Sequence, residues 1–177
     1  MKTTTLFLTF VTVMSAPVLA QICKPASITP SNPTGQYLDN ADGTITDIVN
    51  ELMWSRCSLG QNYVGGNCIN IPTNYLTWKE ALQAAENNQN YAGHSDWHIP
   101  NIKELGSLVE RSCFAPAIDL GLFPSTPSTP YWSNTFDSKG INAGAEGLII
   151  DFHDGSEVIK EINSHKFVRL VRDLSRK

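Results

Sequence analysis

Residues 91–105, which read YAGHSDWHIPNIKEL, constrain the fold more than any other stretch of the chain. A turn at Gly93 precedes Trp97 and Ile99, which alternate with polar neighbours as the residues of a short, half-buried strand do. Pro100 lacks a backbone N–H donor and therefore ends that strand. Because a helix signal follows at once, this stretch specifies the order turn, strand and helix.

The helix that follows is predicted from a capping box. Asn101 is a favoured N-cap residue, and Glu104 stands three positions later, where its carboxylate reaches back to the cap. The apolar spacing predicts a helix over residues 101–110. Its predicted buried face consists of Ile102, Leu105 and Val109.

A second capping box predicts an earlier helix over residues 76–87. Thr77 takes the N-cap position, and Glu80 follows at the required distance. The apolar residues within the helix recur at i, i+3, i+4 and i+7, which is typical of one buried helical face. They are Trp78, Ala81, Leu82 and Ala85.

Strand patterns at both ends of the chain flank these helices. The dipeptide Asp42-Gly43 is typical of a tight hairpin turn. Residues 113–130, which are rich in proline, are predicted to form a long connection of the kind that is often functional. Helices in the middle and strands at both ends indicate the α+β class. The predicted strands cover residues 44–48, 52–54, 131–135, 147–152, 158–159 and 167–171.

The first twenty residues are predicted to be a secretory signal peptide. Lys2 supplies the positive start, an apolar run follows over residues 6–13, and a cut is expected before Gln21. That run is too short to span a bilayer, and no later stretch qualifies. We expect export to the periplasm, the cell surface or the medium. The predicted organisation is a signal peptide at 1–20, an N-terminal arm at 21–36 and one domain at 37–177.

The four cysteines all follow the predicted cut, and an even number in an exported chain predicts two disulfides. Four cysteines permit three pairings, between which the sequence alone does not decide. A Gly-rich segment between Cys57 and Cys68 has the composition of a hairpin loop, which favours that pair and leaves Cys23 with Cys113. A zinc site is disfavoured because the chain has no C-x-x-C pair.

The charge balance argues against two classes of partner. The chain has 13 basic and 17 acidic residues, a net charge of −4. Loss of Lys2 with the leader leaves 12 basic residues against 17 acidic ones, a net charge of −5. An acidic chain is a poor general binder of nucleic acid or of anionic membranes, so neither is a predicted partner.

Neither metal binding nor catalysis is predicted from the polar residues. His94 and His98 are four apart but lie between Gly93 and Pro100 rather than on a helix. A calcium loop fails because Ala41 takes a ligand position. Spacing brings no two carboxylates together for acid–base work, so we predict no catalytic residue, metal or cofactor. The other candidates considered are Asp39, Asp42, Asp47, Asp151, His153, Asp154, Glu157, His165 and Ser133, which lacks a hydrolase elbow.

A ligand-binding surface is the favoured functional hypothesis. Aromatic rings beside carboxylate and amide groups suit sugar rings, through apolar contact and hydrogen bonds. The alternative that stays open is that the two candidate tryptophans, Trp97 and Trp132, are core residues of strands. The basic C-terminal end suits a sulfated or phosphorylated glycan, or else is a solvated strand end and tail. The ligand-binding candidates are Asp96, Trp97, Tyr131, Trp132, Asn134, Arg169 and Arg172, with Lys166, Arg176 and Lys177 completing the basic end.

The chain resembles the Lcl C-terminal domain family from about residue 35 to residue 172. Two departures are His98, where the family usually has Arg, and Asn50-Glu51, where Thr-Gly is usual. The first puts a cation at that strand in doubt, and the second affects a turn. The resemblance is carried by residues 38–54, 77–82, 92–105, 131–135 and 167–172, in that order.

The resemblance implies a C-type-lectin-like fold, with two helices around a twisted, mostly antiparallel sheet and long irregular loops. It implies a binding or adhesion module for a glycan or a surface protein. Two alternatives stay open: a structural subunit of a surface appendage, and an enzyme distantly similar to the formylglycine-generating type. The enzyme would need a free cysteine pair, which conflicts with the two predicted disulfides.

Overall fold

A computed structural model describes residues 20–137, 147–158 and 165–175. These residues form short, antiparallel-paired strands and two helices, which confirms the α+β class. The predicted leader, Ile159, Arg176 and Lys177 lie outside the described residues, apart from Ala20. The elements are β1 Ile22–Cys23, β2 Tyr37–Asp39, β3 Thr44–Asp47, β4 Leu52–Ser55, β5 Asn62–Val64, β6 Asn67–Ile69, α1 Trp78–Glu86, α2 Ile102–Gly106, β7 Cys113–Phe114, β8 Pro130–Phe136, β9 Gly147–Asp151, β10 Ser156–Val158 and β11 Val171–Asp173.

The largest sheet has four strands in the order β11-β4-β3-β2, all antiparallel. Its centre is apolar, because Ile45 of β3 faces Trp54 of β4 and neither side chain is exposed. The predicted turn at Asp42-Gly43 joins β2 to β3, and Gly43 has a φ of 93°. Only glycine takes this conformation readily, and a Cβ on Gly43 would also meet the Tyr91 hydroxyl.

A second, three-stranded sheet has the order β10-β9-β8. Asp154-Gly155 forms the turn between β9 and β10. The second sheet lies beside the approach to β11, since the Trp132 N–H donates to the Phe167 carbonyl at 2.9 Å.

Both capping boxes are present. Thr77 caps α1 with Glu80 in reciprocal contact, and Asn101 caps α2 with Glu104 in the same arrangement. α2 is shorter than predicted, because it ends at Gly106 rather than near residue 110. Leu105 remains fully buried, and the predicted core residue Val109 is buried beyond the helix end.

Two predicted strands are reduced to isolated bridges. At residues 97–99 only His98 makes ladder hydrogen bonds, with Val171 as its partner. The predicted strand at 167–171 is a bridge at Phe167 followed by β11, which begins at Val171. The backbone between them bonds to an irregular loop instead, because the Val168 carbonyl accepts from the Leu59 N–H.

The predicted disulfide pairing is confirmed. Cys57 and Cys68 close the hairpin of β5 and β6, and Cys23 and Cys113 join β1 to β7. The second bond ties the N-terminal arm to the 113–130 connection, which was predicted to have no strand but contains β7.

Two apolar clusters form the core. The larger packs α2 and its following turn against β3, β4, β8 and β9. The smaller packs α1 against Trp97, Trp132 and the side chains of Val168 and Leu170, which precede β11. No helix within the described residues is long and apolar enough to cross a membrane.

Replacement of Leu105 by Ala is expected to lower the free energy of unfolding by about 2–5 kcal/mol, because it opens a cavity in the larger cluster. Leu76, which is 60 % exposed, provides the matched control. Leu76→Ala is expected to change stability by less than about 0.5 kcal/mol. Urea denaturation of both variants measures the difference. Equal losses would show that the assigned core is wrong.

Candidate functional site

A cleft among the described residues, which we call the main cleft, lies between the disulfide-closed hairpin and the segment that follows α1. Its volume is about 650 Å³, which is within the range of sites that hold small ligands. Several of its wall residues, including Asn62 and Asn90, are exposed, so the cleft opens to solvent. It is lined by Asp42, Ser55, Cys57, Ser58, Leu59, Gly60, Gln61, Asn62, Tyr63, Val64, Asn88, Asn90, Tyr91 and Leu170.

The floor of the cleft is held from below by Arg169, whose side chain is fully buried. Its Nη1 donates to the Ser55 carbonyl at 2.8 Å and also to the Arg56 carbonyl. Its Nη2 donates to Thr126 Oγ1 at 2.8 Å and lies 3.5 Å from Ser58 Oγ. Burial lowers the pKa of this guanidinium. Within the described residues, these hydrogen bonds go to uncharged carbonyl and hydroxyl oxygens.

The walls of the cleft offer polar groups to a ligand. Among the hydrogen bonds of the described residues, none involves the side-chain amides of Asn62 and Asn90 or the Tyr63 hydroxyl. Asp42 uses its Oδ1 to accept from the Thr44 N–H and hydroxyl, which leaves its Oδ2 without a hydrogen-bond partner among the described residues. Amides and hydroxyls both donate and accept, as sugar hydroxyls do.

Tyr91 forms the back wall of the cleft. Its hydroxyl donates to the Gly43 carbonyl at 2.9 Å, so the turn before β3 and the segment after α1 meet there. Burial has the largest effect on the pKa of Tyr91 and raises it. The negative charge of Asp42 raises this pKa further, and the positive charge of Arg169 lowers it by a smaller amount.

The aromatic candidates from the sequence lie in the interior instead. Trp97 and Tyr131 have no exposed surface and Trp132 has 6 %. Their polar atoms have partners inside the protein: Trp97 Nε1 donates to the Tyr91 carbonyl at 2.8 Å, and Trp132 Nε1 donates to the Tyr75 carbonyl at 3.0 Å. In the structure these aromatic side chains are therefore core residues, as the alternative interpretation stated.

Asp96 and Arg172 form a two-pronged ion pair, with Nε to Oδ1 at 2.6 Å and Nη2 to Oδ2 at 3.0 Å. The Arg172 guanidinium hydrogen bond holds the pKa of Asp96 below its usual range. The charges of Asp96 and Arg172 are therefore paired with each other, and neither residue is among those that line the cleft.

Asn134 lies elsewhere, in a small hollow of about 130 Å³ between α1 and the stretch from Trp97 to Ile99. Asn134 is exposed, whereas Trp97 forms part of the hollow's wall from within the core. The structure thus brings Trp97 and Asn134 to one hollow, but neither residue lines the main cleft.

The polar residues considered for chemistry serve local structure. Asp39 pairs with Arg56, and Asp47 accepts from the Gln36 side chain. His153 Nδ1 lies 3.0 Å from Ser128 Oγ, and Asp154 accepts from the Ser156 N–H. Within the described ranges, no three His, Cys, Asp or Glu side chains group as metal ligands do.

Sequence reasoning considered Asp42 for other chemistry and Cys57 as a disulfide partner, and it missed the other residues of the cleft. Two signals pointed to them: the amide-rich run at 87–90 after α1, and the disulfide-closed hairpin with its exposed tip. Neither signal says that the two segments face each other, because their contact runs through Gly43 and Tyr91, far apart in sequence.

Comparison with known families identifies a matching family model. The family model described as the Lcl C-terminal domain matches residues 43–172, which is more than half of the 177 residues. No curated protein and no solved structure gives a significant match.

Replacement of Arg169 by Leu is expected to destabilise the protein by roughly 3 kcal/mol or more, because buried carbonyls lose their donors. Arg111→Leu at an exposed position provides the control, with an expected change below about 0.5 kcal/mol. The urea midpoint of each variant is the measurement. Equal midpoints for wild type and Arg169→Leu would contradict this role.

Asp96→Asn is expected to lower stability at pH 7 but not in acid. Because the pKa of Asp96 is depressed in the folded state, its contribution is present above the unfolded value of about 3.9. The contribution is lost as the pH falls through the folded pKa. Unfolding curves of both proteins from pH 7 to pH 2 should therefore converge. A gap that stays constant over this range would count against the ion pair.

Proposed function

The chain belongs to the Lcl C-terminal domain family, and on that premise we propose that it is an exported binding or adhesion module. Its ligand is a carbohydrate, which it holds in the main cleft between the β5–β6 hairpin and the segment after α1. We propose also that its architecture is C-type-lectin-like, so that loops over a fixed frame make the ligand contacts.

The cleft carries this proposal. It combines two tyrosine rings, exposed side-chain amides and a carboxylate in one hollow of about 650 Å³. Sugar rings have apolar faces and hydroxyl edges, so a site for them needs aromatic carbon beside groups that donate and accept. Tyr63 and Tyr91 supply the first, and Asn62, Asn90 and Asp42 supply the second.

Export is supported by two features. The four cysteines are joined in two disulfides, which form and persist in oxidising compartments. The sequence also begins with a pattern typical of a secretory leader.

The enzyme alternative of the formylglycine-generating type depends on thiols. All four cysteines are bonded in this structure, so a thiol titration of the unreduced protein distinguishes the two functions. We expect no reactive thiol before reduction, and two reactive thiols would favour the enzyme.

A glycan array tests the binding proposal and locates the site. The exported protein is labelled and applied to arrayed neutral and sulfated oligosaccharides. For any glycan that binds, Asn62→Ala with Asn90→Ala should weaken binding about tenfold, since each lost hydrogen bond contributes about 0.5–1.5 kcal/mol. The result concerns contacts in the cleft only if the double variant unfolds at the wild-type urea midpoint.

Asn134→Ala is the matched control, because it removes another exposed amide, in the smaller hollow. It should leave binding unchanged. Loss of binding in Asn134→Ala alone would move the site to that hollow, and a folded protein that bound no arrayed glycan would refute the carbohydrate function.

A further inference from the structure

We propose that the cleft selects uncharged saccharides, and that Asp42 is the residue which excludes sulfated and acidic sugars. This inference rests on the proposed function, because it names the ligand class of the same cleft. This ligand class differs from the sulfated glycan that the basic C-terminal end suggests.

The charge on the walls of the cleft is the first argument. Among the described residues that line it, Asp42 has the one acidic side chain, and none of the others is a lysine or an arginine. The remaining polar walls are amides and hydroxyls, which carry no net charge. On the described walls, a sulfate group would therefore meet a carboxylate and no lysine or arginine side chain.

The two nearby arginines do not reverse this balance. Arg56 is buried and paired with Asp39, so the pair carries no net charge. Arg169 lies under the floor, where its four hydrogen bonds go to Ser55, Arg56, Ser58 and Thr126. Its Nε–H has no hydrogen-bond partner among the described residues, but this donor is buried, so it is not open to a ligand.

The direction of the pKa shift of Tyr91 agrees with this balance of charge around the cleft. At its hydroxyl, on the back wall, the negative charge of Asp42 acts more strongly on the pKa than the positive charge of Arg169 does. At this hydroxyl the exposed carboxylate therefore outweighs the buried guanidinium.

The turn fixes where the Asp42 carboxylate points. Its Oδ1 accepts from the Thr44 N–H at 3.0 Å and from the Thr44 hydroxyl at 2.6 Å. Gly43 holds the turn with its positive φ. A carboxylate fixed in this way accepts hydrogen bonds from sugar hydroxyls, and it repels an anionic substituent without moving aside.

Asp42→Asn tests the assignment. An amide oxygen keeps the two hydrogen bonds from Thr44, and Asn-Gly is as favourable in this turn as Asp-Gly. The probes are dextran, mannan and laminarin oligosaccharides, each arrayed beside its own sulfated derivative. The readout is the ratio of the two dissociation constants within each pair.

For wild type we expect at least one neutral probe to bind and its sulfated derivative to bind about tenfold more weakly. In Asp42→Asn this ratio should fall to about threefold or less. Asp154→Asn is the matched control, because Asp154 also precedes a glycine turn and accepts from the backbone two residues on, yet does not line the cleft. It should keep the wild-type ratio.

The outcomes separate this inference from the proposed function. Preference for the sulfated probe, lost on substitution of Asn62 and Asn90, would refute the neutral-sugar inference and leave carbohydrate binding intact. An equal change of ratio in Asp42→Asn and Asp154→Asn would assign selectivity to overall charge and overturn the role of Asp42. A folded wild-type protein that bound none of the probes would refute both.

Discussion

The burial of one guanidinium is the constraint on which the rest of the structure depends. Arg169 has no exposed surface, and its planar donors meet two carbonyls of residues 55–56 and the Thr126 hydroxyl. Its face lies over the Phe123 ring, with the guanidinium carbon 4.8 Å from the ring centroid. One side chain thus joins the end of β4, the proline-rich connection and the approach to β11. These are irregular segments, which have few ladder hydrogen bonds of their own.

The cleft inherits its shape from that arrangement. Its floor is the backbone that Arg169 holds, its front wall is a hairpin closed by Cys57 and Cys68, and its back wall is fixed by the contact of Tyr91 with Gly43. A site whose walls are held before the ligand arrives loses less conformational entropy on binding. In this chain, the Cys57–Cys68 disulfide and the Arg169 hydrogen bonds hold the walls and the floor of the cleft.

What the sequence predicts well is local chemistry, and what it predicts poorly is set by distant partners. The caps at Thr77 and Asn101 and the hairpin at Cys57–Cys68 depend on neighbours in sequence, and all three are confirmed. The strand expected at 97–99 failed because alternation reports burial but not whether an adjacent strand supplies continuous hydrogen bonds. The cleft was not predicted for the same reason, because it depends on a contact between segments that are far apart in sequence. No sequence pattern indicates that Tyr91 packs at the Gly43 turn.

Trp97 shows how a sequence candidate can be linked to a site without lining it. Its large aromatic ring beside polar neighbours suited contact with a sugar ring, yet the side chain is entirely buried. Its indole donates to the Tyr91 carbonyl at 2.8 Å, and the two rings meet edge to face with centroids 5.5 Å apart. Tyr91 is therefore held from behind by Trp97 and in front by Gly43. The conformation of the wall residue is thus set by the core, so a change at Trp97 acts on the cleft through packing and not through ligand contact.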